Sequence, residues 1–439
     1  MPESNQPINV FWFRRDLRLE DNQGLAAALS QDLPVLTIFI FDIEILDLLP
    51  SNDTRVSFIH RQLVKLNETM EQHGTSMLTF HGSVVSAFEH LCARYRVHSV
   101  YCNHDYEPYA ISRDSQIRTW LDSRGIQFQT FKDQVIFEKS QIVKDDGTPY
   151  TVFTPYMKTW KSELSRQPEL LEARQASLST LFPMDHQAIT SLSSMGFSKQ
   201  KIDSLAARIP DKAFLERYKQ DRDFPAKNGT SRLSVHLRFG TMSIRKLVKA
   251  AMQYSNAWLN ELIWREFYMM ILWHFPRVVN ECFRTEYNLI PWKNNPQEFE
   301  RWCQGKTGYP LVDAGMRELN ETGYMHNRLR MVTASFLSKH LLINWQWGEA
   351  YFAEKLLDYE LSSNNGGWQW SAGCGCDAAP YFRVFNPWLQ AEKFDPESKY
   401  IKKWVPEYGH PCYPKPMIEH QFARERALKT YKQTLQKHS

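Results

Sequence analysis

A carboxyl, an indole and a guanidinium share one helical face in the segment WLNELIWREFY at positions 258–268. Trp264 and Arg265 follow Glu261 by three and four residues, so a helix brings all three side chains together. An indole that displaces water from a carboxyl raises the pKa of that carboxyl and suits it to proton transfer. The alternative is an ordinary ion pair between Glu261 and Arg265 on a helix surface.

The segment MHNRLRM at 325–331 places two arginines within one helical turn. At helical spacing, Asn327 and Met331 share one side, while Arg328 and Arg330 point elsewhere. Two arginines in one turn are usually surface residues, whereas a buried arginine requires a carboxylate partner. Asp358 is the candidate partner.

Hydroxyl groups and one guanidinium stand just before a predicted helix in GTSRLSVHLRFG at 229–240. The side chains of Thr230, Ser231, Arg232 and Ser234, together with backbone N–H groups at a helix start, suit a pyrophosphate. A helix cap explains the same residues without a ligand. The spacing alone favours neither interpretation.

Amide, glycine and indole groups are concentrated between residues 358 and 387. The run NNGG at 364–367 predicts a break where the backbone approaches a ligand, because glycine is unfavourable inside a helix. Large aromatic side chains flank this run and would form a floor for a flat, conjugated ligand; they are Trp368, Trp370, Tyr381 and Phe382. A glycine-containing turn between two core helices is the alternative.

Strands and amphipathic helices alternate over the first part of the chain. The sequence predicts strands at 8–15, 34–42, 76–80, 98–102 and 126–131, with helices at about 22–30, 54–73, 84–95 and 109–124. This alternation is typical of an α/β domain in which helices cover both faces of a parallel sheet. No G-x-G-x-x-G or P-loop motif follows the first strand, so the sheet is not marked as a usual dinucleotide or triphosphate binder.

Helical periodicity dominates from about residue 213. Apolar residues recur at three- and four-residue steps in the segments 244–254, 257–275, 312–323, 325–343 and 349–361, and a charged helix is predicted at 419–437. The looser stretch before this part reads as a connector. We therefore predict an α/β domain over 1–133, a connector over 134–212 and an all-helical domain over 213–439.

Composition predicts a soluble globular protein that keeps its thiols reduced. Hydrophobic residues make up 43% of the chain and charged residues 23%, and no apolar run reaches transmembrane length. The seven cysteines are scattered and odd in number, which argues for a reducing compartment. The N-terminal residues lack the pattern of a signal peptide, so we expect a cytoplasmic protein. Cys374 and Cys376 have no Cys or His cluster near them in sequence, so we expect no metal site.

The net charge of +4 is unevenly distributed. Acidic residues exceed basic ones over 1–130, and basic residues exceed acidic ones over 131–439. Of the 14 tryptophans, 11 lie beyond residue 250. Basic charge combined with aromatic surface favours nucleic-acid binding in the second part. A solvated surface rich in lysine is the alternative.

The chain resembles the DNA photolyase/cryptochrome family, closest to the class I cyclobutane pyrimidine dimer photolyases. The shared motifs run in order along essentially the full length: FWFRRDLRLEDN, GTSRLS, NELIWREFY, GKTGYPLVDAGMREL, GYMHNRLRM, NNGGWQW, DAAPYFRVFNP and EKFD. The resemblance implies a Rossmann-like α/β domain for an antenna pigment and an all-α C-terminal domain that holds FAD, reduced and anionic in its active form. It also implies light-dependent DNA repair, in which photoexcited FAD passes an electron to a flipped-out pyrimidine dimer, splits it and recovers the electron.

The resemblance also implies which residues hold the cofactor. Contacts to its phosphates and ribose are expected from Tyr218, Thr230, Ser231, Arg232, Leu233 and Ser234. Arg330 and Asp358 match a buried pair beside the isoalloxazine, and Arg265 and Glu360 are expected in the same site. Asn364 would face flavin N5, where a neutral amide is compatible with a reduced, anionic flavin. Glu360 stands where class I members usually have Asp, so its carboxylate sits on a longer arm.

The lesion and electron-transfer residues follow from the same motifs. Trp264 and Trp370 are expected to stack on the flipped bases, Glu261 and Asn327 to hydrogen-bond their edges, and Met331 to fill the floor of the pocket. Contacts to the DNA backbone are expected from Arg222, Arg328, Arg383 and Gln390. The tryptophan chain that passes electrons from the surface to oxidised FAD matches Trp368, Trp345 and Trp292.

The same positions separate the branches of the family. Animal-type enzymes for the (6-4) photoproduct carry histidines where this chain has Asn327 and Met331. Plant cryptochromes place an acid at the position of Asn364 and usually carry long C-terminal tails. Repair of the cyclobutane dimer is therefore the predicted function. The alternatives are a cryptochrome-type blue-light photoreceptor that binds FAD without repair, and a DNA-binding module without flavin.

The sequence motifs indicate less about the antenna pigment and the oligomeric state than about the FAD site. Folate-binding members carry an Asn-Glu pair soon after a Tyr-Glu, and the run YEPYA at 106–110 lacks that pair. A folate antenna is therefore not expected, while deazaflavin, a second flavin or no antenna stay open. The expected partner is DNA that contains pyrimidine dimers. We expect a monomer without membrane contact.

Overall fold

The computed structural model describes residues 6–174, 177–202 and 207–436. Residues 175–176 and 203–206 of the expected connector, and residue 437 of the expected closing helix, lie outside the described residues. The chain forms two compact units, each assembled from three stretches. The first is Met1–Glu138, Leu164–Ile209 and Leu233–Ala250; the second is Lys139–Glu163, Pro210–Arg232 and Ala251–Ser439. The expected domain boundaries at 133 and 212 stay a prediction.

The first unit is built on a five-stranded parallel sheet in the order β3-β2-β1-β4-β5. Its strands are β1 (Ile8–Phe13), β2 (Val35–Asp42), β3 (Leu78–Gly82), β4 (Val97–Asn103) and β5 (Gln127–Phe131). Every residue of β1 and β2 is buried, as expected for parallel strands covered on both faces. All five predicted strands are present, which confirms the α/β fold of this unit.

Five helices alternate with these strands: α1 (Gln23–Leu29), α2 (Ile43–Leu46), α3 (Thr54–Glu71), α4 (Val84–Arg94) and α5 (Pro108–Asp122). Polar side chains at Asn22, Asp53 and Ser83 accept hydrogen bonds from the first turns of α1, α3 and α4. Such N-caps satisfy backbone N–H groups that have no partner within the helix. The caps therefore fix where each helix leaves the sheet.

A buried ion-pair network explains part of the FWFRRDLRLEDN motif. Arg18 donates to both carboxylate oxygens of Asp133 at 2.7 and 2.8 Å. Arg245 donates to Asp21 at 2.9 Å and to Asp133 at 2.8 Å. Although burial opposes ionisation, the two arginines hold the pKa of Asp133 below its usual value. Charged residues of this motif therefore form buried ion pairs that hold parts of the first unit together.

The remaining helices are α6 (Phe153–Arg166), α7 (Lys212–Asp221), α8 (Ser234–Arg238), α9 (Ile244–Tyr254), α10 (Asn256–His274), α11 (Pro296–Cys303), α12 (Pro310–Thr322), α13 (Asn327–Ser335), α14 (Trp345–Lys355), α15 (Leu361–Ala372), α16 (Pro387–Phe394), α17 (Lys399–Trp404) and α18 (His420–Gln436). A π-helical turn, Phe336–His340, follows α13 directly. One apolar core from α11–α15, α17 and α18 fills the second unit. The helical second part is thus confirmed.

Two local predictions in this part are wrong. The helix expected to reach residue 361 ends at Lys355, so Asp358 and Glu360 lie in the turn before α15. The break expected at 364–367 is absent, because α15 runs through these residues and ends at Gly373. Gly366 allows close packing in place of a break, since a Cβ there would lie 2.2 Å from the Tyr268 ring.

The part of the chain that the structure describes contains neither a helix suited to crossing a membrane nor a group of side chains arranged to hold a metal ion. In residues 6–174, 177–202 and 207–436, no helix is both long and apolar enough to cross a membrane. Over the same ranges, no group of three His, Cys, Asp or Glu side chains is arranged to hold a metal ion.

Candidate functional site

Helix α15 is the element around which the predicted site residues gather. It packs against α10, α13 and α14, and each of these four helices carries at least one predicted site residue. At its N-terminus, Arg330 donates to both oxygens of Asp358 at 3.0 and 2.9 Å. Beside the same helix end, Arg265 donates to Glu360 at 2.9 Å, and Glu360 also accepts from the Ser363 hydroxyl at 3.1 Å. Two carboxylates near a helix N-terminus are favoured by its dipole.

The Asn364 amide is fixed by a carboxyl that the sequence did not single out. Its Nδ2 donates to the side chain of Glu349 at 2.8 Å and to the Glu349 carbonyl at 3.1 Å. Burial raises the pKa of Glu349, and the hydrogen bond from Asn364 opposes that rise. Because both bonds use the NH₂ group, the amide oxygen points away from Glu349.

Two buried polar atoms of α15 have no hydrogen-bond partner in the described structure. They are the Ser362 hydroxyl and the Trp368 indole N–H. On the same helix, a Cβ added at Gly367 would meet nothing within 4 Å, so open space lies against the backbone there. Buried polar groups are nearly always satisfied in native proteins. A flat ligand with polar edges could satisfy such atoms.

The GTSRLS motif is divided between the two units. In the second unit, the Thr230 hydroxyl lies 3.2 Å from that of Tyr324, and the Arg232 guanidinium is 4.7 Å from the centre of the Tyr324 ring. Arg232 has φ 51°, a left-handed conformation that is rare without a local constraint. Ser231 is half-buried there. Leu233 and Ser234 belong to the first unit, where Leu233 is buried and Ser234 begins α8.

Glu261 forms an ion pair with Arg222, whereas its spacing alone allowed a pair with Arg265. The Arg222 guanidinium also lies 5.3 Å from the centre of the Tyr218 ring. Burial and the nearby Glu261 carboxylate raise the pKa of Tyr218. The residues therefore form a polar cluster between α7 and α10.

The Trp264 indole stacks on Phe153, with ring centres 3.7 Å apart and planes inclined by 7°. Because the two rings are stacked, Phe153 covers one face of the indole. The Trp264 side chain is half-buried overall. Trp370 is also half-buried, on the last turn of α15. Phe153 was missed because its role depends on contact across more than one hundred residues.

The two sides of α13 separate as predicted. The Asn327 amide lies 4.0 Å from the Met331 sulfur on one side. Arg328 instead donates to Asp223 at 2.8 Å, and its guanidinium lies 4.1 Å from the centre of the Phe394 ring. The adjacent His326 caps α13, and burial lowers the pKa of its imidazole to about 4.

The three predicted electron-transfer tryptophans lie in or against one apolar core. Trp368 and Trp345 are each 2% exposed, and Trp292 packs against the same core while half-buried. Trp368 makes edge contacts with Phe352 and Trp302, with ring centres 5.0 and 6.0 Å apart. Trp368 is therefore part of the core, which corrects the expectation that it lies on an aromatic floor.

The expected DNA contacts beyond α15 differ in exposure. Arg383 is exposed in the loop between α15 and α16. Tyr381 of this loop stacks on Tyr431, with ring planes inclined by 12°, so it too departs from the expected floor. Gln390 lies in α16, and in the described structure its buried side-chain oxygen has no partner.

Two family profiles match the chain. The profile of the DNA photolyase family matches residues 9–176. The profile described as the FAD binding domain of DNA photolyase matches residues 258–411. A deoxyribodipyrimidine photo-lyase from Synechococcus sp. is 38% identical over 93% of this chain and 90% of its own length.

The chain belongs to the photolyase/cryptochrome family. Among solved structures, a bacterial class III photolyase from Agrobacterium tumefaciens has a TM-score of 0.87 at 31% identity and covers 98% of both chains. An archaeal photolyase from Sulfolobus tokodaii, solved with two FAD molecules, has a TM-score of 0.83 at 36% identity and covers 97% of this chain and 99% of its own. The family is thus established, while the structural similarity to a class III enzyme leaves the class I placement as a prediction.

The residues around α15 fit FAD, the cofactor of this photolyase family domain. The Ser362 hydroxyl and the Trp368 N–H are buried polar atoms without a partner in the described structure, and open space lies beside the Gly367 backbone. Two partly buried ion pairs and the oriented Asn364 amide add polar contacts at the same helix. Ser362 was not predicted from sequence, because burial without a partner is visible only in three dimensions. Glu349 was not predicted either, because its bond with Asn364 joins two different helices.

Proposed function

We propose that this protein is a deoxyribodipyrimidine photo-lyase, which uses light to split cyclobutane pyrimidine dimers in DNA. The observation that carries the proposal is the Asn364 amide, held by Glu349 on a helix flanked by two partly buried ion pairs. Its support from relatives is the 38% identity to the Synechococcus enzyme of that name. Bound FAD supplies light absorption and one-electron transfer.

The chain's own residues bind and orient the cofactor. The proposed phosphate and ribose contacts are Tyr218, Thr230, Ser231, Arg232, Leu233 and Ser234. Two ion pairs place charged groups at fixed positions near the start of α15; they are Arg330–Asp358 and Arg265–Glu360. Because Glu349 holds the NH₂ group of Asn364, the amide presents its oxygen, a neutral acceptor, to the ring edge.

The lesion pocket is proposed to lie along α10 and α13. A flipped base stacks on the face of Trp264 that Phe153 does not cover, and Trp370 supplies a second indole. Glu261 and Asn327 accept or donate hydrogen bonds at the base edges, and Met331 adapts to the apolar surface. Since Glu261 is already paired with Arg222, the lesion must share or replace that contact.

DNA backbone contacts are proposed for Arg222, Arg328, Arg383 and Gln390. Arg222 and Arg328 carry carboxylate partners, Glu261 and Asp223, in the protein alone. A phosphate therefore competes with a carboxylate at each of these two positions. Arg383 is exposed and is the most accessible of the four.

Electron supply from the surface is proposed to run from the half-buried Trp292 through the buried Trp345 and Trp368. We expect Trp292→Phe to block photoreduction of oxidised FAD, because phenylalanine is much harder to oxidise than tryptophan. Repair by protein that is already reduced should persist. Absorbance spectra recorded during illumination measure the photoreduction of FAD. Normal photoreduction in this variant would contradict the assignment of Trp292 to the electron-transfer chain.

We propose placement with the class I cyclobutane dimer enzymes on the basis of Asn327, Met331 and Asn364. We also propose an antenna domain over 1–133, a connector over 134–212 and a catalytic domain over 213–439, in a monomeric cytoplasmic protein. A second flavin is an antenna candidate, because the similar Sulfolobus tokodaii photolyase was solved with two FAD molecules. A folate antenna is not proposed.

The function is tested with two oligonucleotides, one carrying a cyclobutane dimer and one a (6-4) photoproduct. The purified, FAD-loaded and reduced protein is illuminated with blue light, with a dark sample as control. We expect restored pyrimidines from the cyclobutane dimer in light only, and none from the (6-4) photoproduct. Restoration of the (6-4) photoproduct alone would reassign the branch, and restoration of neither would favour a photoreceptor.

A further inference from the structure

A fully buried lysine lies directly behind the loop that carries Arg383. Lys339 is 1% exposed, and its Nζ donates to the main-chain carbonyl of Arg383 at 2.8 Å. Burial lowers the pKa of this amine to about 8, since a low-dielectric surrounding disfavours the charged form. Desolvation of an amine is unfavourable. A position that served packing alone would be filled better by Leu or Met.

The backbone around Lys339 departs from a regular helix. The turn Phe336–His340 is π-helical, and the Leu341 N–H donates to the Phe336 carbonyl at 3.1 Å. Such turns are rare and are frequent at functional sites. This turn continues α13, which begins at Asn327. One continuous segment therefore carries a proposed lesion contact at its start and the buried lysine at its end.

The loop that Lys339 contacts has little regular structure of its own. It joins the end of α15 to the start of α16 at Pro387 and contains no helix or strand. Asp377 accepts the Phe153 N–H at 3.0 Å, and Tyr381 stacks on Tyr431. Near the tip, the Arg383 N–H donates to the Pro380 carbonyl at 2.8 Å. The bond from Lys339 thus ties the exposed residue to the rigid core.

We infer that Lys339 is a positioning residue, which fixes the main chain of Arg383 so that its exposed guanidinium meets the DNA backbone. The inference rests on the proposed DNA repair function. Lys339 does not touch DNA in this account and acts only through the loop. A structural lysine without this role would alter folding or FAD content as much as DNA affinity.

The first test compares Lys339→Met, Lys339→Arg and the control Ser338→Ala. Ser338 lies in the same π-helical turn, is buried and donates within its own helix to Ala334. We expect Lys339→Met to weaken affinity for dimer-containing DNA several-fold and to leave FAD content and photoreduction unchanged. Lys339→Arg keeps a donor and should recover most of the affinity, and Ser338→Ala should bind like the parent protein. Equal losses of affinity in all three variants would overturn the inference.

The second test is a double-mutant cycle with Arg383→Ala, which also covers the case in which Lys339→Met fails to fold. If Lys339→Met fails to fold, Lys339→Gln takes its place in the cycle. The glutamine side chain is still polar but too short to reach the Arg383 carbonyl. If Lys339 acts through Arg383, the lysine change should cost little affinity once Arg383 is removed. Losses that add in full would overturn the inference. Failure of the parent protein to split dimers in light would instead count against the proposed function.

Discussion

At the scale of single residues, partners rather than residue types decide what a charged side chain does here. Glu261 and Arg265 have the spacing of an ion pair, yet Glu261 pairs with Arg222. Arg265 pairs with Glu360, which is far away in sequence. The Arg330–Asp358 pair was predicted, because a buried arginine requires a carboxylate and the family resemblance pointed to the same two residues. Glu349 was missed, since nothing in its local sequence marks it as buried beside Asn364.

Trp264 provides a test at this scale. We expect Trp264→Ala to weaken binding to dimer-containing DNA by about 1–3 kcal/mol, the usual value of a base–aromatic stack. Trp264→Phe is the matched control, because it keeps a ring both for the base and for Phe153. Fluorescence titration with damaged and undamaged duplexes measures the difference. Unchanged affinity of the alanine variant would contradict a stacking role.

His340 provides a second test, through the acid side of the stability profile. Burial lowers the pKa of this imidazole to about 3, and His420, Arg426 and Lys339 add positive charge around it. The unfolded chain therefore binds a proton below about pH 6.5 that the folded chain refuses, so stability is lost as the pH falls toward 3. His340→Asn should reduce the proton uptake on unfolding by about one. An unchanged pH slope would show that His340 titrates normally.

At the scale of elements, long periodic segments were predictable and their interruptions were not. The apolar pattern over 257–275 predicted α10 to within one residue at each end. The same reasoning carried α14 too far, because it did not recognise that the chain turns after Lys355. It also broke α15 at its glycines, although Gly366 lies there because the Tyr268 ring of a neighbouring helix leaves no room for a side chain. Helix propensity cannot include a contact made between helices.

The two glycines of α15 form a matched pair of substitutions. We expect Gly366→Ala to destabilise the protein by about 1–3 kcal/mol, because the new methyl group would overlap the Tyr268 ring. Gly367→Ala meets nothing within 4 Å and should be neutral or stabilising by up to about 1 kcal/mol in the absence of FAD. Denaturant unfolding measures both.

FAD binding extends the same comparison. If the cofactor occupies the space beside Gly367, the Gly367→Ala variant should bind FAD more weakly although its fold is intact. Equal destabilisation by the two substitutions would contradict the packing account. Unchanged FAD affinity in the Gly367 variant would place the cofactor elsewhere.

At the scale of the whole molecule, the excess of basic charge beyond residue 130 predicts a polyanion partner. We expect affinity for dimer-containing DNA to fall as salt rises, because bound arginines displace counterions from the phosphates. Arg383→Ala should reduce the slope of log affinity against log salt by about one, and Arg124→Ala, in the first unit after α5, should not. Binding that is independent of salt would contradict the basic-surface interpretation.

The most direct measurement is a single-turnover experiment on the FAD-loaded, fully reduced protein bound to a dimer-containing oligonucleotide. Chromatography before and after one short blue flash counts intact dimers and restored pyrimidines. The account predicts that the flash converts bound dimers to pyrimidines. The same complex, with FAD bound and Asn364 and Trp264 intact, should show no conversion in the dark. Dimers that survive repeated flashes, while the cofactor stays reduced and the DNA stays bound, would contradict it.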